Sequence, residues 1–176
     1  MAGGDNITLS TLKATVHLGA HADAPSHYGV DAPGIEACAL ETYLGPCQVM
    51  HVSVDRNTRI TPSMLPDGIR APRVLLRTGT FPDASNFTTD FAALSPELVN
   101  HLADEGVVLI GIDTPSVDLF DSKDLPAHKT FLSRRLAILE GLQLDGVSPG
   151  EYELIALPLP LVGFDASPVR AVLRGD

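Results

Sequence analysis

Apolar and polar positions break the chain into many short elements rather than a few long ones. Residues 48–54 (QVMHVSV) and 73–77 (RVLLR) are compact runs rich in aliphatic and β-branched side chains, as strands are. The run VVLIGID after Gly106 is apolar at successive positions, which predicts a strand buried on both faces. YELIAL, at residues 152–157, predicts a late strand, and residues 5–24 read as extended. Helical spacing is clearest after Ser95-Pro96-Glu97. A serine cap and a first-turn proline lead into LVNHLADE, and Gly106 closes the helix. A second helix is expected over residues 127–136. Strands outnumber helices, so the predicted class is α/β with a mixed sheet.

The 176 residues suit one domain, 1–176, with a real core. No repeat, low-complexity tract or linker interrupts them, and the 14 scattered prolines imply short elements joined by shaped loops. Hydrophobic residues at 44% and charged residues at 19% describe a globular chain. Twelve basic against 22 acidic residues leave a net charge of −10, which argues against nucleic acid or anionic membrane as a partner. No apolar stretch approaches the roughly 20 residues that span a bilayer. MAGGDNITLS has neither the basic flank nor the apolar core of an export signal, so the cytoplasm is the expected compartment. Cys38 and Cys47 are read as reduced.

Chemistry concentrates in one segment, His17-Leu-Gly-Ala-His21-Ala-Asp23-Ala-Pro-Ser-His27. Gly19 and Pro25 oppose a helix here. In an extended strand, positions 17, 19, 21 and 23 share one face, which would carry His, Gly, His and Asp. Leu18, Ala20, Ala22 and Ala24 would pack on the other face, and Gly19 would leave room between the two imidazoles. Two imidazoles and a carboxylate suit Zn²⁺, and also Mn²⁺ or Fe²⁺. His27 follows the turn that Pro25 imposes, so it is placed to approach from another direction as a general base or acid. Any one of these histidines alone would be read as structural or exposed; the spacing of all of them is what carries the metal-site reading.

Downstream, Asp113, Asp118, His128 and Glu140 are further candidates, although spacing cannot bring them to the first segment. Asp113 and Asp118 in GIDTPSVD read as turn caps. Glu140, an acid between apolar neighbours, needs a buried partner, and an ordinary salt bridge would serve. His51 and His101 read as structural or exposed.

The segment HLGAHADAPSHY resembles the H-x-G-[TA]-H-x-D-x-P-x-H signature of the metal-dependent cyclase family. LETYLGPCQV, VLLRTGT, GIDTPSVD, AHKTFL, AILEGLQLDGV and YELIALPLPLVGFDASPVRAVLR are similar to the same family, so the resemblance runs from about Ile7 to Arg174. It implies a swivelling β/β/α domain, a homodimer and a two-metal centre, with zinc as the expected ion and manganese as the substitute. His17 and His21 would hold the first ion, His128 the second, and Asp23 and Glu140 would bridge them. His27 would carry protons. The implied reaction is hydrolysis of a small N-formyl aryl amine, N-formyl-L-kynurenine, to L-kynurenine and formate. Opening of a cyclic amide such as isatin, or metal binding without efficient catalysis, are the alternatives. Family members usually begin with a W-D-[IL]-S strand and a tryptophan-bearing P-x-[WF]-P-G-D loop. This chain starts just before ITLS and has no tryptophan, so against the family pattern either the start is misplaced, the N-terminal strand was lost, or the pocket wall is lacking.

Overall fold

The computed structural model describes residue 4, residues 6–66 and residues 68–175. Position 5, where the expected N-terminal extended stretch begins, lies outside the described residues.

An eight-stranded mixed sheet organises the chain. Its centre is parallel: β2 (Leu44–His51), β4 (Arg73–Arg77), β6 (Leu109–Ile112) and β7 (Ala137–Glu140) lie side by side in that order. One flank adds β8 (Gly150–Ile155) and β10 (Val172–Arg174), both antiparallel to their neighbours. The other flank adds β1 (His21–Asp23) against β7 and β9 (Ala166–Pro168) against β1. A separate two-stranded parallel ribbon pairs β3 (Arg59–Ile60) with β5 (Ala93–Leu94).

The sheet divides the core into two layers. Met50, Val74, Leu76, Ile110, Ile112 and Ile138 point to one face, where they meet the two α-helices. Cys47, Val49, Leu75, Leu109, Leu139 and Ala22 point to the other. Strands covered on both faces need apolar residues at successive positions, which is why RVLLR and LIGI show no polar alternation.

The helix α1 (Pro96–Asp104) forms as its sequence predicts. Ser95 Oγ accepts from Leu98 N at 3.1 Å, Pro96 occupies the first turn, and Gly106 follows with φ +83°. Its buried face is Leu98, Val99 and Leu102, worth about 1.5–3 kcal/mol per side chain. A Leu98→Ala change should cost about 2–5 kcal/mol. The second helix, α2 (Pro126–Arg134), starts after Leu125 in a left-handed conformation at φ 44° and has no cap of its own.

The predicted strands are present, at shifted ends: residues 48–54 fall into β2, which starts earlier and stops at His51, and 152–157 fall into β8. The mixed α/β architecture stands as expected. The extended reading of the N-terminal region does not. Residues 7–15 have no regular structure, Val16 to Ala20 form turns and bends, and only His21–Asp23 are a strand. Parity along one strand therefore accounts for His21 and Asp23 but not for His17. Among the described residues, no helix is long and apolar enough to cross a membrane. Cys38 and Cys47 are free thiols.

Candidate metal centre

The centre lies where β1 crosses the end of β7. The antiparallel register puts His21 opposite Glu140, so their side chains emerge side by side on the helix face of the sheet. Asp23, two residues on, shares that face. His17 reaches the same place from the turn before the strand. Gly19 makes that turn possible with φ +62°, a backbone conformation open to glycine at little cost. The turn also lies tightly on the end of β7: a Cβ on Gly141 would sit 2.3 Å from the Gly19 carbonyl oxygen. Gly19 thus shapes the backbone, rather than simply leaving space between two imidazoles. A 3-10 turn, Pro25–His27, brings His27 back toward His17, with ring centroids 4.3 Å apart. His128 comes from α2, where it faces Asp23 and Glu140.

The sequence-predicted residues therefore converge. His17 Nδ1 is 3.2 Å from Asp23 Oδ1, and His21 Nε2 is 3.2 Å from Glu140 Oε2. His128 Nε2 lies 3.5 Å from Asp23 Oδ2 and 3.6 Å from Glu140 Oε1. Two sets of donor atoms are compact enough to hold a cation: His17, Asp23 and His27, and separately His21, Asp23 and Glu140. Asp23 belongs to both. His21 thus groups with Glu140, while His17 groups with His27.

The inner atoms of this cluster are the ones that fit a metal. His21 Nε2, His128 Nε2 and both oxygens of Asp23 are buried and make no hydrogen bond among the described residues. Orphaned buried polar atoms cost about 1–3 kcal/mol each, and here they are aimed at one another across a few ångströms. A cation among them supplies the missing partner for all at once.

Charge follows the same logic. Contact with the Asp23 carboxylate, supported by Asp165, outweighs burial and raises the His17 imidazole to about 9. Burial opposes protonation of His128, but Asp118 and Asp23 push it up to about 10. Burial would raise Asp23; the imidazoles of His128 and His17 instead hold it below the usual carboxylate range. Glu140 is shifted upward, first by burial and then by the charge of Asp23. A positive charge on these imidazoles and a bound cation would meet the same carboxylates.

Of the other candidates, Asp113 and Asp118 serve as caps, as predicted, but for distant segments. Asp113 accepts from the backbone N–H groups of Thr78 and Gly79 and from Thr78 Oγ1. Asp118 accepts from Ala127 N and His128 N, supplying the cap α2 lacks, and from His128 Nδ1 at 2.9 Å. His51 donates to or accepts from no site residue; its Nε2–H donates to the Val147 carbonyl. Sequence reasoning missed Asp165, which accepts from His17 Nε2 at 3.0 Å and His27 Nδ1 at 3.1 Å. It stands alone in VGFDASP, 138 residues beyond His27, and only pairing of β9 with β1 brings it near.

A cavity of about 390 Å³ lined by Tyr28, Tyr43, Phe131 and Arg135 meets the cluster only at Asp23. The side chains of His17 and His27, 23% and 33% exposed, mark the face from which the cluster is open to solvent.

A family model described as "Putative cyclase" matches residues 4–119. The chain belongs to the cyclase family. The chain is 49% identical over 171 residues to a kynurenine formamidase of Bordetella petrii, covering 96% of this chain and 81% of that relative. A solved structure of a potential metal-dependent hydrolase with cyclase activity superposes with a TM-score of 0.83 at 31% identity, covering 92% of this chain and 80% of that one. Isatin hydrolase A from Labrenzia aggregata matches with a TM-score of 0.74 at 25% identity, covering 90% and 73% of the two chains.

Proposed function

We propose that this protein hydrolyses N-formyl-L-kynurenine to L-kynurenine and formate in the cytoplasm. The observation that carries the reading is the set of buried atoms of His21, Asp23 and His128 that face one another without a hydrogen bond among the described residues. The 49% identical relative named kynurenine formamidase supports the choice of substrate.

His17, His21, Asp23, His128 and Glu140 would hold the metal, read as two zinc ions with manganese as the substitute. When bound, the metal supplies Lewis acidity toward the formyl oxygen and toward water. His27 takes a proton from the water as its oxygen attacks the formyl carbon, and gives a proton to the aryl nitrogen as the C–N bond breaks. Formate and the free amine leave, so atoms balance with one water consumed and no covalent enzyme intermediate. The low exposure of His21, Asp23 and His128 keeps bulk water off the ligand atoms and strengthens their hold on a cation.

A homodimer belongs to the same reading. Leu157, Leu159, Val162 and Phe164 are all at least 43% exposed on the segment leading into Asp165, and a second copy would cover them.

Formate release by the zinc-loaded protein tests the substrate. N-formyl-L-kynurenine should be turned over far faster than isatin. A lactam hydrolase is the second reading, favoured by the likeness to isatin hydrolase A, and ready ring opening of isatin without formate release from the formamide would establish it instead.

A further inference from the structure

Each imidazole of the cluster is held from outside by one ring nitrogen. His21 Nδ1–H donates to the Gly19 carbonyl at 2.8 Å, and His128 Nδ1–H donates to Asp118 Oδ2 at 2.9 Å. Such outer partners fix which nitrogen is free for a cation and which way the ring faces. On the open side of the cluster, His17 and His27 share a single partner. Asp165 Oδ2 lies 3.0 Å from His17 Nε2 and 3.1 Å from His27 Nδ1.

A carboxylate only accepts, so both of those nitrogens carry hydrogen. A neutral imidazole has one N–H, which leaves the lone pair on His17 Nδ1 and on His27 Nε2. His17 Nδ1 is the atom 3.2 Å from Asp23 Oδ1. We infer that Asp165 is a positioning residue: one carboxylate oxygen sets the tautomer and ring angle of the ligand His17 and of the proton carrier His27 together. The inference rests on the roles given to these two histidines under the proposed function.

The backbone makes the placement firm. Ala24 N donates to the Asp165 carbonyl at 2.9 Å, and the next residue, Ala166, pairs with Asp23 across the β1–β9 ladder. Asp165 is therefore fastened to the strand that carries Asp23, through main-chain bonds that survive any side-chain change. Its side chain is 46% exposed, so its replacement leaves no buried hole and no buried unpaired charge.

The test uses zinc-loaded protein with ¹⁵N-labelled histidine, comparing the parent, Asp165→Ala and Asp165→Asn. In the parent, the neutral His27 ring should show Nδ1–H and a bare Nε2. In Asp165→Ala that preference should be lost, kcat for formate release should fall about 10- to 100-fold with KM within threefold, and zinc should bind about 10- to 100-fold more weakly. Asp165→Asn keeps one accepting oxygen and should retain more of the tautomer and of the rate. An unchanged His27 tautomer in Asp165→Ala, or a kcat within twofold of the parent, would overturn the inference. If the parent itself releases no formate, the proposed substrate fails, while the ring spectra and zinc affinity still decide the role of Asp165.

Discussion

Two pairs of buried acids lie in this molecule, and they are treated in opposite ways. Asp113 and Asp118 are saturated: backbone N–H groups, a threonine hydroxyl, the Arg59 guanidinium and an imidazole fill their oxygens. Burial would raise Asp118, but His128 and Arg59 hold it below the usual carboxylate range. Asp23 is as deeply buried as Asp118, yet both its oxygens lack a hydrogen bond among the described residues. Glu140 accepts from Val117 N on one oxygen and turns the other toward His21. A fold can satisfy buried carboxylates when it has the donors; here it saturates Asp113 and Asp118, gives Glu140 one backbone donor, and leaves both oxygens of Asp23 to face ring nitrogens alone. The difference separates an acid that holds loops together from an acid held ready for a cation.

Substitutions that break this contrast should show it in different measurements. Asp23→Ala should lose bound metal and reduce formate release by about 10³-fold or more, since Lewis-acid stabilisation of several kcal/mol goes with the ion. It should also cost the metal-free protein less stability than Asp118→Ala does, which paired metal analysis and denaturant melts check. His27→Ala should keep the metal and lower turnover by about 10²- to 10⁴-fold. Equal metal loss in His27→Ala and Asp23→Ala would assign His27 to the ligands instead.

Asp118→Ala leaves two N–H groups of α2 unpaired and takes one partner from the Arg59 guanidinium, which keeps the Leu94 carbonyl and Ser122 Oγ, and should destabilise the fold by about 2–4 kcal/mol. Asp113→Ala leaves the Thr78 and Gly79 N–H groups unpaired at a cost of about 1–3 kcal/mol, with metal content unchanged. Another effect is on pH. His17 and His128, raised from 6.5 to about 9 and about 10 in the metal-free protein, bind protons more tightly folded than unfolded. Their contribution is complete below pH 6.5 and is lost as pH rises through those raised values. Metal-free protein should therefore melt at progressively lower temperature across that window, and metal-loaded protein, whose imidazoles have given up these protons, should not.

Legibility in the sequence followed the range of the interaction. Ser95, Pro96 and Gly106 act on their own neighbours, and α1 is where they place it. RVLLR is a strand because burial on both faces leaves a pattern in five consecutive residues. Cap chemistry was visible in Asp113 and Asp118, but their targets, 35 and 9 to 10 residues away, were not. The strand-parity account of the metal segment was half right. His21 and Asp23 obey it, whereas His17 arrives through a left-handed turn at Gly19 that an alternation pattern cannot show.

The sequence alone set out the donor groups of one segment: three imidazoles and a carboxylate within eleven positions, with a glycine and a proline to bend the chain around them. Tertiary structure alone decided which distant groups complete it. Glu140 stands opposite His21 by strand register, His128 arrives on a helix capped by Asp118, and Asp165 is carried in by β9. The physical reason is that local spacing fixes side-chain direction within an element. Only the pairing of strands and the packing of a helix on the sheet can set the few ångströms between groups more than a hundred residues apart.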